Sequence, residues 1–348
     1  METQHELYFA SDYMEGAHPA IIQRLVQTNM EQTSGYGTDE YCERARSLIR
    51  KACECPEAAV HFLVGGTQTN ATVIDALLNR YEGVIAAQTG HVAVHEAGAI
   101  EFGGHKVLTL ACDKGKITAA SVKRYLQDFY ADGNYEHMVH PGMVYISQPT
   151  EYGTLYTKQE MSAINAVCRE YHIPLYVDGA RLAYALACKE NDVTLADLAT
   201  LCDAFYIGGT KCGALFGEAV IITNDLYKEH FRAMMKRGGG LLAKGRLLGI
   251  QFEVLLRDGL YQRICAAAID YARDIRAAFA AQGVDFYGAS TTNQQFPILA
   301  REQADYFRRA FGFAYWQAHG DRHVVRYCTS WATTAEEVRE LIAAIAPK

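Results

Sequence analysis

Between positions 58 and 235, apolar runs of strand length alternate with stretches whose apolar residues recur at helical spacing. The runs 83–88 (GVIAAQ), 105–110 (HKVLTL), 143–147 (MVYIS), 174–177 (PLYV), 204–207 (AFYI) and 219–223 (AVIIT) are nearly continuous, as in strands buried on both faces. Helices are predicted over 71–81, 119–129, 158–171 and 182–189. Buried strands separated by amphipathic helices make a mainly parallel sheet covered on both faces. A glycine-rich basic stretch, 236–246 (KRGGGLLAKGR), comes next, followed by an Ala- and Leu-rich helical region to about 281. A mixed segment, 285–326, carries strand-like pieces (FPILA, HVVRYC) and one helix. The last helix is predicted over 334–346, with Thr334 as its cap and Glu336 and Glu337 at its positive end. The expected organisation is therefore an N-terminal arm and large α/β domain over 1–240, then a smaller α+β domain over 241–348.

Composition narrows the class. Half of the 348 residues are hydrophobic and 21% are charged, an ordinary globular profile. The net charge of −7 and pI near 6.0 do not provide the basic face of a phosphate-backbone binder, so no nucleic-acid partner is expected. No stretch approaches the roughly 18 apolar residues of a membrane span. The start, METQHELYFASDYMEG, lacks the basic and apolar regions of a secretory leader. Ten cysteines without a C-x-x-C pair fit reduced thiols, and a cytoplasmic location is expected.

Four short segments carry candidate chemistry. In 204–217 (AFYIGGTKCGALFG) a strand enters a glycine turn that presents Lys211. Ligands gather at such strand ends, and a lysine with apolar surroundings deprotonates readily and can condense with an aldehyde. The plainer reading is a surface-loop lysine. In 173–184 (IPLYVDGARLAY) Asp178 follows a strand directly, where a carboxylate can balance a buried protonated pyridine nitrogen. Arg181, three residues on, offers a planar fork for a carboxylate, while Asp178 could instead cap a helix. In 63–70 (LVGGTQTN) Gly65 and Gly66 let the backbone approach a phosphate at a helix N-terminus, and Thr67 adds a hydroxyl; an ordinary turn with a threonine cap is the alternative. His91 lies at a strand mouth, where it can stack on a flat ring, move a proton or simply be structural. His95-Glu96 starts an H-E-x-x-H pattern that fails at Ala99.

In this order the four segments resemble the threonine aldolase family, in the β-eliminating lyase branch of fold-type-I enzymes dependent on pyridoxal 5′-phosphate (PLP). The D-G-A-R motif and the Lys211 segment carry most of the resemblance. It implies a fold-type-I large domain, with Lys211 as the Schiff-base lysine, Asp178 as the pyridinium partner and His91 as the ring-stacking histidine. Gly65, Gly66 and Thr67 fall on the phosphate cup, and Arg181 also belongs to the cofactor site. Ser11, Arg181 and Arg326 match the groups that hold the carboxylate of a small amino-acid substrate. Tyr36-Gly37 and Glu96 match family positions without an assigned role. The resemblance further implies a homodimer or homotetramer with shared active sites.

Three departures stand out. The family's loop histidine after the strand at 143–147 is replaced in SQPTEYG by Thr150 or Glu151. Thr210 precedes the lysine in place of serine, and Leu242 stands where a basic residue usually follows the GGG run, with Lys244 or Arg237 as substitutes. The implied reaction is aldol cleavage of a β-hydroxy-α-amino acid, with His91, His95, Glu151 or a water as candidate base; β-elimination or transamination on the same scaffold is the alternative. A doubly wound nucleotide binder would need G-x-G-x-x-G or a P-loop, and neither occurs.

Overall fold

The computed structural model describes residues 7–346. The first six residues of the stretch read for a leader, and the outer ends of both expected domain spans, lie outside the described residues. Seven strands form the main sheet: β1 (Ala59–Leu63), β2 (Glu82–Ala87), β3 (Val107–Leu110), β4 (His140–Ser147), β5 (Leu175–Asp178), β6 (Ala204–Gly208) and β7 (Glu218–Ile222). Their order is β1-β7-β6-β5-β4-β2-β3. Strands β2 to β6 are parallel, and β7 runs antiparallel to both β1 and β6.

The continuous apolar runs arise because both sheet faces are buried. Ile85, Val144, Val177, Phe205 and Ile221 enter one core, while their neighbours Val84, Met143, Tyr176, Tyr206 and Val220 enter the other. Helices Glu40–Ala52, Ala119–Ala131, Lys158–Glu170 and Arg246–Leu256 cover the first face, and Gly66–Leu77 covers the second.

The expected 71–81 helix begins earlier, at Gly66, because the glycine turn is its N-cap, and it ends at Leu77. The strand expected from 105 starts at Val107; His105 instead turns its ring Nδ1 to the Glu82 carbonyl. Helices Pro19–Thr28 and Glu40–Ala52 were not foreseen. The second, EYCERARSLIRKA, is so charged that only Tyr41, Cys42, Ala45 and Ile49 are buried, which leaves a thin apolar stripe. The long helical region is broken into Arg246–Leu256 and Leu260–Ala281 by Asp258 and Gly259, both at positive φ.

A second, antiparallel sheet contains β8 (Gln294–Gln295), β9 (Ile298–Leu299), β10 (Ala314–His319) and β11 (Arg322–Cys328), with β11 paired to the other three. Its core combines Phe9, Leu299, Val325, Tyr327 and Leu341 with Ile275 and Phe279 of helix Leu260–Ala281. The first half of that helix, through Cys265 and Ile269, packs into the main core. The cap at Thr334 lies where the sequence places it, with a capping box to Glu337.

Candidate active site

The parallel strands end on one edge of the main sheet, and the site is assembled there. Two glycines make that edge compact. The Gly208 N–H donates to the Gly179 carbonyl at 3.0 Å. A Cβ on Gly179 would lie 1.9 Å from the Tyr206 carbonyl oxygen, and one on Gly208 would lie 2.5 Å from that of Ala180. The D-G-A-R and I-G-G glycines thus let the ends of β5 and β6 touch.

Asp178 ends β5, buried. Its Oδ2 accepts hydrogen bonds from Tyr145 Oη at 2.7 Å and Asn70 Nδ2 at 3.0 Å; its Oδ1 accepts from Tyr206 Oη at 2.5 Å and the Ala180 N–H at 3.0 Å. Burial pushes the carboxyl pKa up, but the His91 charge and these donors outweigh it and hold the group below its usual range. The helix that follows begins after Arg181 without a side-chain cap, so Asp178 is not its cap.

Lys211 follows β6; its carbonyl accepts from Tyr184 Oη at 2.8 Å, while its amine has no hydrogen bond or ion pair among the described residues and lies 6.0 Å from the Tyr13 ring centre. Burial first, and then the Arg181 charge, depress its pKa. Two connected chambers meet at this lysine. An inner one of about 150 Å³ is bounded by Gly66, Thr67, Asp178, Tyr206, Thr210 and Glu218, and an outer one of about 560 Å³ by Tyr13, His95, Tyr152, Gln294, Trp316 and Arg326. His91, Glu151, Arg181 and Lys211 line both.

Gly65 is the N-cap of helix Gly66–Leu77, outside the chamber lining, whereas Gly66 and Thr67 face the chamber. The first hydrogen bond there runs from Thr69 N–H to the Gly65 carbonyl, so the N–H groups of Gly66 and Thr67 precede it. His91 Nδ1 sits 2.7 Å from Glu96 Oε1, which also accepts from Asn70 Nδ2. Burial alone would lower the His91 pKa; the Glu96 hydrogen bond and the Asp178 charge raise it instead.

The two arginines differ. Arg181 is paired through Nε and Nη2 with the fully buried Asp12, at 2.7 and 3.0 Å. Arg326, from β11, donates through Nη1 to Gln294 Oε1 at 3.1 Å and through Nη2 to the Ala10 carbonyl at 2.8 Å; its buried Nε has no partner among the described residues. No carboxylate among the described residues pairs with it. Ser11 does not line either chamber; its neighbours Asp12 and Tyr13 reach the site instead.

In the loop after β4, Thr150 and Glu151 are placed differently. Thr150 is 1% exposed and shares a hydrogen bond with Thr154 Oγ1 at 2.7 Å, while Glu151 lines both chambers. Thr210 donates its hydroxyl to the buried Glu218, whose pKa burial pushes up to about 8. Tyr36 and Gly37 border a separate small pocket with Leu242, Arg237 pairs with Asp75, and Lys244 is exposed. Sequence reasoning missed Asp12 as a partner, Asn70, Tyr145, Tyr206 and Glu218. Asn70 had a signal, one helical turn after Gly66, as did Tyr206, two residues before Gly208 on an alternating strand.

A family model described as β-eliminating lyase matches residues 8–311. The chain belongs to the β-eliminating lyase family. A low-specificity L-threonine aldolase of Pseudomonas aeruginosa is 32% identical to this lyase over 97% of each chain. A solved structure named as threonine aldolase of Leishmania major superposes with a TM-score of 0.95 at 44% identity, over 97% of this chain and 98% of that one. An aspartate aminotransferase of Thermus thermophilus, 13% identical with a TM-score of 0.72, shares the fold, over 98% and 96%. The cofactor of this lyase is PLP, and the residues present suit it. An amine without a partner, a buried acid held ionised and N–H donors at a helix start match an aldehyde, a ring nitrogen and a phosphate.

Proposed function

We propose that this β-eliminating lyase cleaves β-hydroxy-α-amino acids such as L-threonine and L-allo-threonine to glycine and an aldehyde. The observation that carries the reading is the un-neutralised Arg326 guanidinium in the same chamber as the Lys211 amine, a receptor for an amino-acid carboxylate beside the cofactor's attachment point. Near-full-length similarity to proteins named threonine aldolase supports the choice of reaction.

When bound, PLP supplies an electron sink for the pair released as the Cα–Cβ bond breaks. In this reading Lys211 would hold the cofactor covalently, Asp178 would keep the ring nitrogen charged and His91 would lie against the ring. The N–H groups of Gly66 and Thr67 would receive its phosphate. Arg326 grips the substrate carboxylate, and Arg181, locked by Asp12, adds its remaining nitrogen. Together they would fix how the substrate's Cα–Cβ bond is turned towards the bound cofactor, a positioning task. All ten cysteines are unpaired, which supports a cytoplasmic location. Phe102, 96% exposed beside Thr67 at a cleft of about 670 Å³, supports a homodimer or homotetramer.

The test is product analysis of the PLP-loaded protein with L-threonine, L-serine and L-cysteine. Glycine and acetaldehyde from threonine are expected. Ammonia with pyruvate from serine or cysteine, without threonine cleavage, would replace the aldolase by a β-elimination reading. Lys211→Ala is expected to lose the visible cofactor band and to cut turnover by about a thousandfold or more.

A further inference from the structure

We propose that Glu151 is the catalytic residue that takes the β-hydroxyl proton of the substrate, through its Oε2 atom, as the Cα–Cβ bond breaks. The assignment rests on the aldolase reading of the site. It follows from where the carboxylate sits and which of its atoms other residues hold.

Glu151 belongs to the short set of side chains shared by both chambers, with His91, Arg181 and Lys211. A substrate whose carboxylate meets Arg326 in the outer chamber and whose amine meets the cofactor at Lys211 places its Cα and Cβ at this junction. Oε1 of Glu151 is held by two donors, the His91 N–H at 2.9 Å and Ser147 Oγ at 2.7 Å. Its own backbone N–H also favours the ionised carboxyl, and no other described residue donates to Oε2, which is not sealed from the cavity. One oxygen is fixed and the other is presented to the junction.

The loop that carries it is rigid. Gln148 brackets the Tyr156 backbone, accepting from its N–H at 2.9 Å and donating to its carbonyl at 3.2 Å, and the Thr150 N–H donates to the Thr154 carbonyl at 2.9 Å. A base fixed before the substrate arrives loses little freedom in the transition state.

The other titratable groups are engaged elsewhere. His91 is held by Glu96 and keeps its proton more firmly than a free imidazole. Both oxygens of Asp178 are occupied, and Glu218 faces Gly209 and Thr210 in the inner chamber. His95 lines the outer chamber alone, between His91 and Trp316. Burial raises the Glu151 carboxyl above its usual range and makes it a stronger base than a solvated carboxylate, although the Ser147 hydrogen bond partly restrains the rise. The groups facing it are Asp178, Tyr145, Tyr156 and His91, with Lys211, Arg181, Arg326 and His95 across the cavity.

The step balances without an external oxidant or reductant. Oε2 accepts the hydroxyl proton, the O–H electron pair becomes the second bond of the aldehyde carbonyl, and the Cα–Cβ pair passes through Cα into the bound cofactor. A proton returned to Cα yields glycine, and Glu151 gives up the proton it took.

Glu151→Gln tests this in the PLP-loaded enzyme. Threonine cleavage is expected to fall by about a hundred- to ten-thousandfold, while the visible cofactor spectrum and the exchange of the glycine α-proton, which involves no hydroxyl, persist. The acid limb of kcat/KM in the wild type belongs to Glu151, because activity is lost as the carboxylate is protonated, and it should vanish in E151Q. Ser147→Ala gives a second reading: it removes a hydrogen bond that favours the ionised form, so the acid limb should move to higher pH. Cleavage by E151Q within about tenfold of wild type, parallel loss of cleavage and glycine exchange, or an unmoved limb in S147A would each overturn the assignment. Wild-type enzyme that exchanges glycine but cleaves no threonine would remove the aldolase reading and the assignment with it. Active wild type beside an equally active E151Q removes the assignment alone.

Discussion

Arg181 and Arg326 have the same fork and opposite circumstances. Asp12 neutralises Arg181 in a buried, bidentate pair, while Arg326 is held by a side-chain amide and a backbone carbonyl and keeps its charge for a ligand. The Asp12 carboxyl records the difference. Burial would raise its pKa, but the charges of Arg181 and Lys211, with hydrogen bonds from Arg181 and Asn293, bring it down to about 2 from 3.8. A carboxyl depressed in the folded state stabilises the fold above its unfolded pKa and loses that contribution as pH falls through the folded value. Asp12→Asn is therefore expected to destabilise the protein near neutral pH. Its deficit against wild type should shrink by about 2 kcal/mol as pH drops from about 4 towards 2. Urea unfolding of both proteins across that range checks it, and a pH-independent deficit would contradict the linkage.

At the scale of elements, the ends of β5 and β6 set the site's geometry. Their contact through Gly179 and Gly208 leaves no room for a Cβ, so any side chain there pushes Asp178 away from Tyr206 and displaces the turn that carries Lys211. Gly179→Ala is expected to cost about 1–3 kcal/mol and to weaken PLP retention. Denaturant midpoint and cofactor titration measure the two effects. Full stability with full cofactor affinity would show that the contact is slack. The helix Gly66–Leu77 serves the opposite end of the inner chamber, presenting its first N–H groups to it and sending Asn70 back to Asp178.

At the scale of the molecule, the outer chamber lies between the two sheets. Gln294, Trp316 and Arg326 come from the second sheet, whereas Lys211, His91 and Glu151 follow strands of the first. Helix Leu260–Ala281 joins the sheets by entering both cores, and the N-terminal segment adds Phe9 to one core while Asp12 and Tyr13 meet the site. Phe102 is almost wholly exposed at a cleft that Thr67 and Arg237 also line, and the proposed oligomer would cover it. Sedimentation is expected to show two or four subunits, with Phe102→Glu shifting the protein towards monomer and lowering PLP retention; a fully active wild-type monomer would remove this picture.

Local chemistry in the chain determined much of this protein. Two buried faces require continuous apolar runs, so the β2, β4, β5, β6 and β7 regions could be read directly, and Lys211, Asp178, His91, Gly66 and Thr67 stand out because each lies at or just beyond the end of a strand. Charge-rich helices such as Glu40–Ala52 could not be read this way, since few apolar positions suffice once a large neighbour covers them. The tertiary structure alone decided which arginine is free, which oxygen of Glu151 other residues hold and why Asp178 stays ionised. Those properties depend on partners far apart in the chain, Asn70 108 positions from Asp178 and Asp12 169 from Arg181, and on burial. Hydrogen bonding and desolvation act through space, so they exist only once the two sheets have closed around the cavity.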